Sequence, residues 1–145
     1  MYDRILLPTD GSEASNPAVD EAIGLAKDTG ADLHVLFVVE NLSYAPEMMD
    51  ETVEAQLQTM GEEALGNIEE RAENENVEIV TQIRHGIPHE VIIDYADETD
   101  CDVIVMGTHG RTGLDRYLLG SVTERVVRSS DTPVLTVRRR STESD

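Results

Sequence analysis

Val103-Ile104-Val105-Met106, then Gly107-Thr108-His109-Gly110, and after nine intervening residues Gly120-Ser121-Val122, is the stretch on which the reading of this chain turns. A continuous apolar run of this length marks a strand covered on both faces. It enters a glycine-rich loop, and a further glycine and a serine open a helical pattern with Val122 and Val126 on its inner side. Strand, glycine loop and helix in this order form the arrangement with which α/β proteins hold phosphate. Glycines let the backbone turn with φ > 0 and bring N–H groups close to an anion. The first helical turn adds up to four unpaired N–H groups at the positive end of the dipole. Ser121 and Glu124 also fit S-x-x-E, a capping box, which predicts a helix beginning at Ser121.

Local charge points the same way. The chain carries 30 Asp+Glu against 11 Lys+Arg, a formal net charge of −19. Residues 107–128 nevertheless hold four arginines (Arg111, Arg116, Arg125 and Arg128) against two acids, Asp115 and Glu124. An acidic protein that keeps this segment positive keeps a place for an anion. The competing reading is that these arginines balance the helix C-terminus and pair with nearby acids.

Outward from this stretch, strand and helix patterns alternate. Ile5-Leu6-Leu7 and Val35-Leu36-Phe37-Val38-Val39 are further continuous apolar runs. Val77, Ile79, Thr81 and Ile83 instead alternate with Glu78, Val80, Gln82 and Arg84, which predicts a half-exposed edge strand. Val19, Ala22, Ile23 and Ala26 recur at helical spacing, with Pro17 near the start and Asn16 or Ser12 as cap. Val53, Leu57, Met60, Ala64 and Ile68 mark a long second helix, and Val91, Ile92, Tyr95 and Ala96 a third entered through Pro88. Five strands and four helices in alternation call for an α/β fold: a single-domain, doubly wound parallel sheet with helices on both faces. Residues 1–138 form that domain, and 139–145 a short tail expected to fray. In such sheets ligands bind beyond the carboxyl ends of the strands, where strand order reverses, which places Asp10 beside the glycine loop. A carboxylate there accepts hydrogen bonds from ribose hydroxyls, and capping the first helix is compatible with that role.

The pattern G-x2-G-x9-G-[S/T], formed by Gly107, Gly110, Gly120 and Ser121, resembles the signature of the ATP-binding branch of the universal stress protein family. The opening Ile5-Leu6-Leu7-Pro8-Thr9-Asp10 and the closing Asp131-Thr132-Pro133-Val134-Leu135-Thr136-Val137 are similar to that family's first and last strands. The resemblance covers essentially the whole chain. It implies strand order 3-2-1-4-5 and ATP as the bound group; because ATP adds about four negative charges to a chain of net charge −19, Mg2+ or Mn2+ is expected to bridge its phosphates. It implies that Pro8, Thr9 and Asp10 lie at the ribose and adenine, that Val38 contacts adenine, and that Met106 lines the base pocket. It further implies that Gly107, Gly110, Gly120, Ser121 and Val122 hold the phosphates, with His109 and Arg111 inside the loop near them. Thr108 stands where relatives often have serine, which keeps the hydroxyl. A dimer through the last strand is also implied, and residues Val134 to Val137 carry no charge to protect a free edge.

Composition narrows the setting. At 145 residues the chain is one domain with a real core, and with 3% aromatic residues that core must be mostly aliphatic. No apolar run approaches a membrane span, and no signal-peptide pattern opens the chain. The single cysteine, Cys101, suits a reducing cytoplasm and reads as a small buried hydrophobe. Lys27 is the only lysine beside ten arginines. Carboxylate solvation with lysine nearly eliminated fits molar salt, where screening confines self-repulsion to about 3 Å, and predicts a halophilic archaeal source. Such acidity argues against nucleic acid and membranes as partners.

Catalytic signatures are sparse. The Walker A lysine is absent, no late lysine or post-strand-3 aspartate matches a response regulator, and Thr9-Asp10-Gly11-Ser12 differs from the S-G-G-x-D-S of pyrophosphatase-type nucleotide folds. His34, His85, His89 and His109 form no ligand spacing, and of these only His109 lies in the loop, as a phosphate contact or a participant in slow hydrolysis. Two function classes follow. One is a nucleotide-binding stress regulator whose dimer changes state with ATP and hydrolyses it slowly at most. The other is a nucleotide-independent interaction or chaperone-like protein; the intact glycine pattern favours the first.

Overall fold

The computed structural model describes residues 2–40, 51–108 and 120–138. Along the chain run β1 (Arg4–Thr9), α1 (Asn16–Thr29), β2 (Asp32–Glu40), α2 (Glu51–Asn74), β3 (Ile79–Gly86), α3 (Pro88–Glu98), β4 (Val103–Gly107), α4 (Ser121–Ser129) and β5 (Val134–Val137). The strands form one sheet in the order β3-β2-β1-β4-β5, and every neighbouring pair is parallel. Period-two alternation divides each apolar run between two layers. Ile5, Leu7, Leu33, Val35, Phe37, Val103 and Val105 face α1 and α2. Leu6, Leu36, Ile104 and Met106 face α3 and α4. This double coverage is why the central runs of β1, β2 and β4 are continuously apolar.

The half-exposed third strand is an edge, with Val80 43% exposed. It begins at Ile79 rather than at Val77. Asn76 takes φ 61, and the Val77 N–H donates to the Ala72 carbonyl at 2.9 Å, so Val77 closes α2 instead of joining the ladder. The start of α1 also differs from expectation. A 3₁₀ turn at Glu13–Ser15 precedes it, Ser12 stands before that turn, Asn16 is already helical, and Ser15 occupies the cap position with its hydroxyl donating back to the Ser12 carbonyl instead of capping the helix. Pro17 sits at the start of the helix as expected.

Two features fix the strands that neighbour the expected site. The Asp102 carboxylate accepts the N–H groups of Asp3 at 2.7 Å and Arg4 at 3.0 Å, and its own N–H donates to the Arg4 carbonyl at 2.8 Å. Those backbone donors hold its carboxyl below the usual aspartate range. The lower ends of β1 and β4 are thereby stapled in register, with Ile5 beside Val103 and Leu6 beside Ile104. At β5, the carbonyls of Pro133 and Val137 accept N–H groups of Ile104 and Thr108 from β4. Alternation then turns the backbone groups of Val134 and Thr136 to the outer edge.

Phe37, the single phenylalanine, is fully buried with its ring against α2. A Cβ at Gly61 would stand 2.6 Å from that ring, whereas one at Gly66 would meet nothing within 4 Å. Opposite signs are therefore expected in denaturant unfolding. Gly61→Ala loses about 1–2 kcal/mol, because overpacking against an immobile ring outweighs the gain in helix propensity. Gly66→Ala gains about 0.5–1 kcal/mol from propensity alone. Equal stabilisation by both would show that the ring yields.

Candidate functional site

The expected crevice lies at the carboxyl ends of β1 and β4. At the end of β1 the chain turns sharply. The Thr9 hydroxyl accepts the Gly11 N–H at 3.1 Å and lies 3.3 Å from the Ser15 hydroxyl, while one Asp10 carboxylate oxygen accepts the N–H (2.9 Å) and hydroxyl (2.6 Å) of Ser12. Gly11 takes φ 79, with Ala64 and Phe37 near the position a Cβ would occupy, so this turn needs glycine. The result is a rigid loop that fixes Asp10 at the mouth of the crevice. Thr9 is buried and its side chain serves the turn.

Across the crevice, the end of β4 and the start of α4 are drawn together. Gly120 N–H donates to the Thr108 carbonyl at 2.6 Å, and Thr123 Oγ1 donates to the Gly107 carbonyl at 2.7 Å. Thr108 N–H donates to Val137 in β5. The carbonyls nearest the site are thus occupied, while the first-turn N–H groups of α4 have no partner within the helix. Gly120, not Ser121, is the cap residue: its carbonyl accepts the Glu124 N–H at 2.9 Å, and Ser121 is the first helical residue. The capping box centred on Ser121 is therefore not made, although the helix starts where it was expected. Gly120 is buried with φ −58 and ψ 150, a conformation open to any residue, so no left-handed backbone calls for glycine here.

Pro8 and Leu36 are register partners, and Leu36 belongs to the α3–α4 layer. Pro8, Val38 and Met106 consequently lie on one face near the upper end of three adjacent strands. Met106 is buried in that layer and half-buried Val38 packs against it. Val122 is half-buried against the same cluster, and Ser121 is exposed at the helix start. Among the described residues, the carboxyl ends of β1, β2 and β4 therefore carry an apolar surface and the Asp10 carboxylate, and α4 starts just after β4. His109, Gly110 and Arg111 lie outside the described residues, as do Arg116, Asp115 and the methionines Met48 and Met49.

The charge reading divides. Arg128 pairs with Glu124 at 2.8 Å in the last turn of α4, so it balances the helix C-terminus, as the competing reading held. Lys27 pairs with Glu75 at 2.8 Å. Together with Arg71 and Asp20 they line a groove of about 460 Å³ between α1 and α2. His34 lies in β2, where its Nδ1 is 2.7 Å from the Tyr95 hydroxyl, and burial lowers its pKa. Cys101 is buried, and burial raises its thiol pKa, which keeps it an unreactive hydrophobe. Among the described residues no three His, Cys, Asp or Glu side chains are grouped to hold a metal. No described helix is long and apolar enough to cross a membrane. Sequence reasoning missed Thr123, because its partner Gly107 lies 16 residues away and no local pattern signals that bond.

Residues 1–138 match the universal stress protein family. The chain is 39% identical over 142 residues to the universal stress protein MJ0531 of Methanocaldococcus jannaschii, covering 96% of this chain and 84% of that one. Its fold is similar to the solved structure of the protein MJ0577, with TM-score 0.80, 32% identity, and 97% and 98% of the two chains covered. It is similar also to a universal stress protein crystallised in complex with cAMP, with TM-score 0.70, 30% identity, and 94% and 97% covered.

Proposed function

This chain belongs to the universal stress protein family, and from that premise we propose that it is a stress-response regulator that binds ATP at the β1–β4 crevice. The observation that carries the reading is the way α4 is joined to β4. Thr123 and Gly120 engage the carbonyls of Gly107 and Thr108, beside the electropositive start of α4, which supports an anion there. The residues present fit an adenine nucleotide. Backbone N–H groups of Gly120, Ser121 and Val122, with Gly107, Gly110, His109 and Arg111 from the loop, would take the phosphates. Asp10 would accept the ribose hydroxyls, and Pro8, Thr9, Val38 and Met106 would bound the base. A similar fold holding cAMP supports adenine as the base.

ATP brings about four negative charges to a chain of net charge −19. Mg2+ or Mn2+ would offset them at the phosphates, held mainly by phosphate and water oxygens. Affinity should therefore fall when EDTA is added at constant high ionic strength; equal affinity would remove the metal from the account. In this reading the protein is a cytoplasmic homodimer joined through β5, a switch between nucleotide states, with hydrolysis slow at most.

The test is to precipitate purified protein with acid and resolve the supernatant by anion exchange. Near-stoichiometric adenine nucleotide is expected. A nucleotide-free extract from protein that also fails to take up added ATP would overturn the function.

A further inference from the structure

We propose that Thr123 is a positioning residue of the nucleotide site, its hydroxyl holding the Gly107 carbonyl away from the phosphates. The inference rests on the nucleotide reading above and deepens it. Thr123 is 6% exposed, in the first turn of α4, and its hydroxyl donates to Gly107 at 2.7 Å. Valine would fill the same space, so packing does not require the oxygen. What the oxygen adds is a donor for the last carbonyl of β4. A carbonyl oxygen carries partial negative charge, and beside an anion it must be turned away or engaged.

The partner bond has the same sense. Gly120 N–H engages the Thr108 carbonyl at 2.6 Å. These two bonds join the end of β4 to the start of α4. Both bonds take carbonyl oxygens, and neither uses the N–H of Ser121 or Val122. Removing the Thr123 donor frees the Gly107 peptide to tilt and α4 to move off β4. Binding would then have to reverse that relaxation, so the loss appears in affinity.

The experiment compares full-length wild type, Thr123→Val and Thr123→Ser, stripped of nucleotide and titrated calorimetrically with ATP and Mg2+ in molar salt. The valine variant should bind about tenfold more weakly, the scale of one lost hydrogen bond, and the serine variant within about twofold of wild type. Melting temperatures are recorded alongside. Equal affinity of wild type and Thr123→Val overturns the inference while leaving the nucleotide reading intact. Equal weakening by serine and valine also overturns it, because the methyl rather than the hydroxyl would then matter. Absence of binding by wild type removes the nucleotide reading itself. If Thr123→Val does not fold, Thr123→Ala against Thr123→Ser gives the same comparison, and equal affinities overturn the inference.

Discussion

Gly120→Val is expected to lower ATP affinity at least about 100-fold, about 2.7 kcal/mol, with a native far-ultraviolet circular dichroism spectrum. Gly120 is buried at the cap of α4, and its N–H reaches the Thr108 carbonyl at 2.6 Å. Its dihedral angles suit valine, so the chain can fold around the substitution. At this buried position a branched side chain is expected to widen the junction of β4 and α4 or to project toward the proposed phosphate position. The fold itself should lose only about 1 kcal/mol, since valine is a poor cap and glycine a moderate one. Unchanged affinity by calorimetry would place the site elsewhere.

The second large effect concerns assembly. β5 ends the sheet with four uncharged residues, Leu135 is 37% exposed, and Val127 on α4 is exposed nearby in sequence. An apolar edge of this kind invites a second copy, and a two-fold axis makes the pairing antiparallel. Light scattering in molar salt should read about twice 16.0 kDa. Thr136→Pro should halve that mass, because the Thr136 N–H faces the outer edge and a proline there leaves the bonds to β4 intact. Position 137 would be the wrong choice: Val137 turns toward β4, so proline there damages the sheet itself. A wild-type monomer at micromolar concentration would contradict the dimer. The strand is short, which limits the ladder to few bonds and makes apolar contact the larger contribution.

The sheet was legible in the sequence because strands buried on both faces leave continuous apolar runs, as at Ile5 to Leu7 and Val103 to Met106, and because β3, half exposed, shows alternation. Strand order was not legible from residues; it came through resemblance. Boundaries shifted where tertiary bonds compete with local pattern. Val77 looks like strand but closes α2, since Asn76 adopts a left-handed conformation. Ser121 looks like a cap by its spacing to Glu124, but the helix is capped one residue earlier. The competing arrangement lets Thr123 reach Gly107, a gain that S-x-x-E spacing does not encode. For the proposed site, topology and spacing were enough to name Asp10 and the glycines as candidates. The turn that holds Asp10 was not, because it depends on hydroxyls of Thr9, Ser12 and Ser15 that read as ordinary loop polarity.

The central claim is that the β1–β4 crevice binds an adenine nucleotide through the start of α4. The most direct measurement is calorimetric titration of nucleotide-stripped wild-type protein with ATP and Mg2+ in molar salt. The account predicts saturable binding of one ATP per chain, with GTP markedly weaker. Absence of saturable binding, or equal affinity for ATP and for inorganic triphosphate, would contradict it.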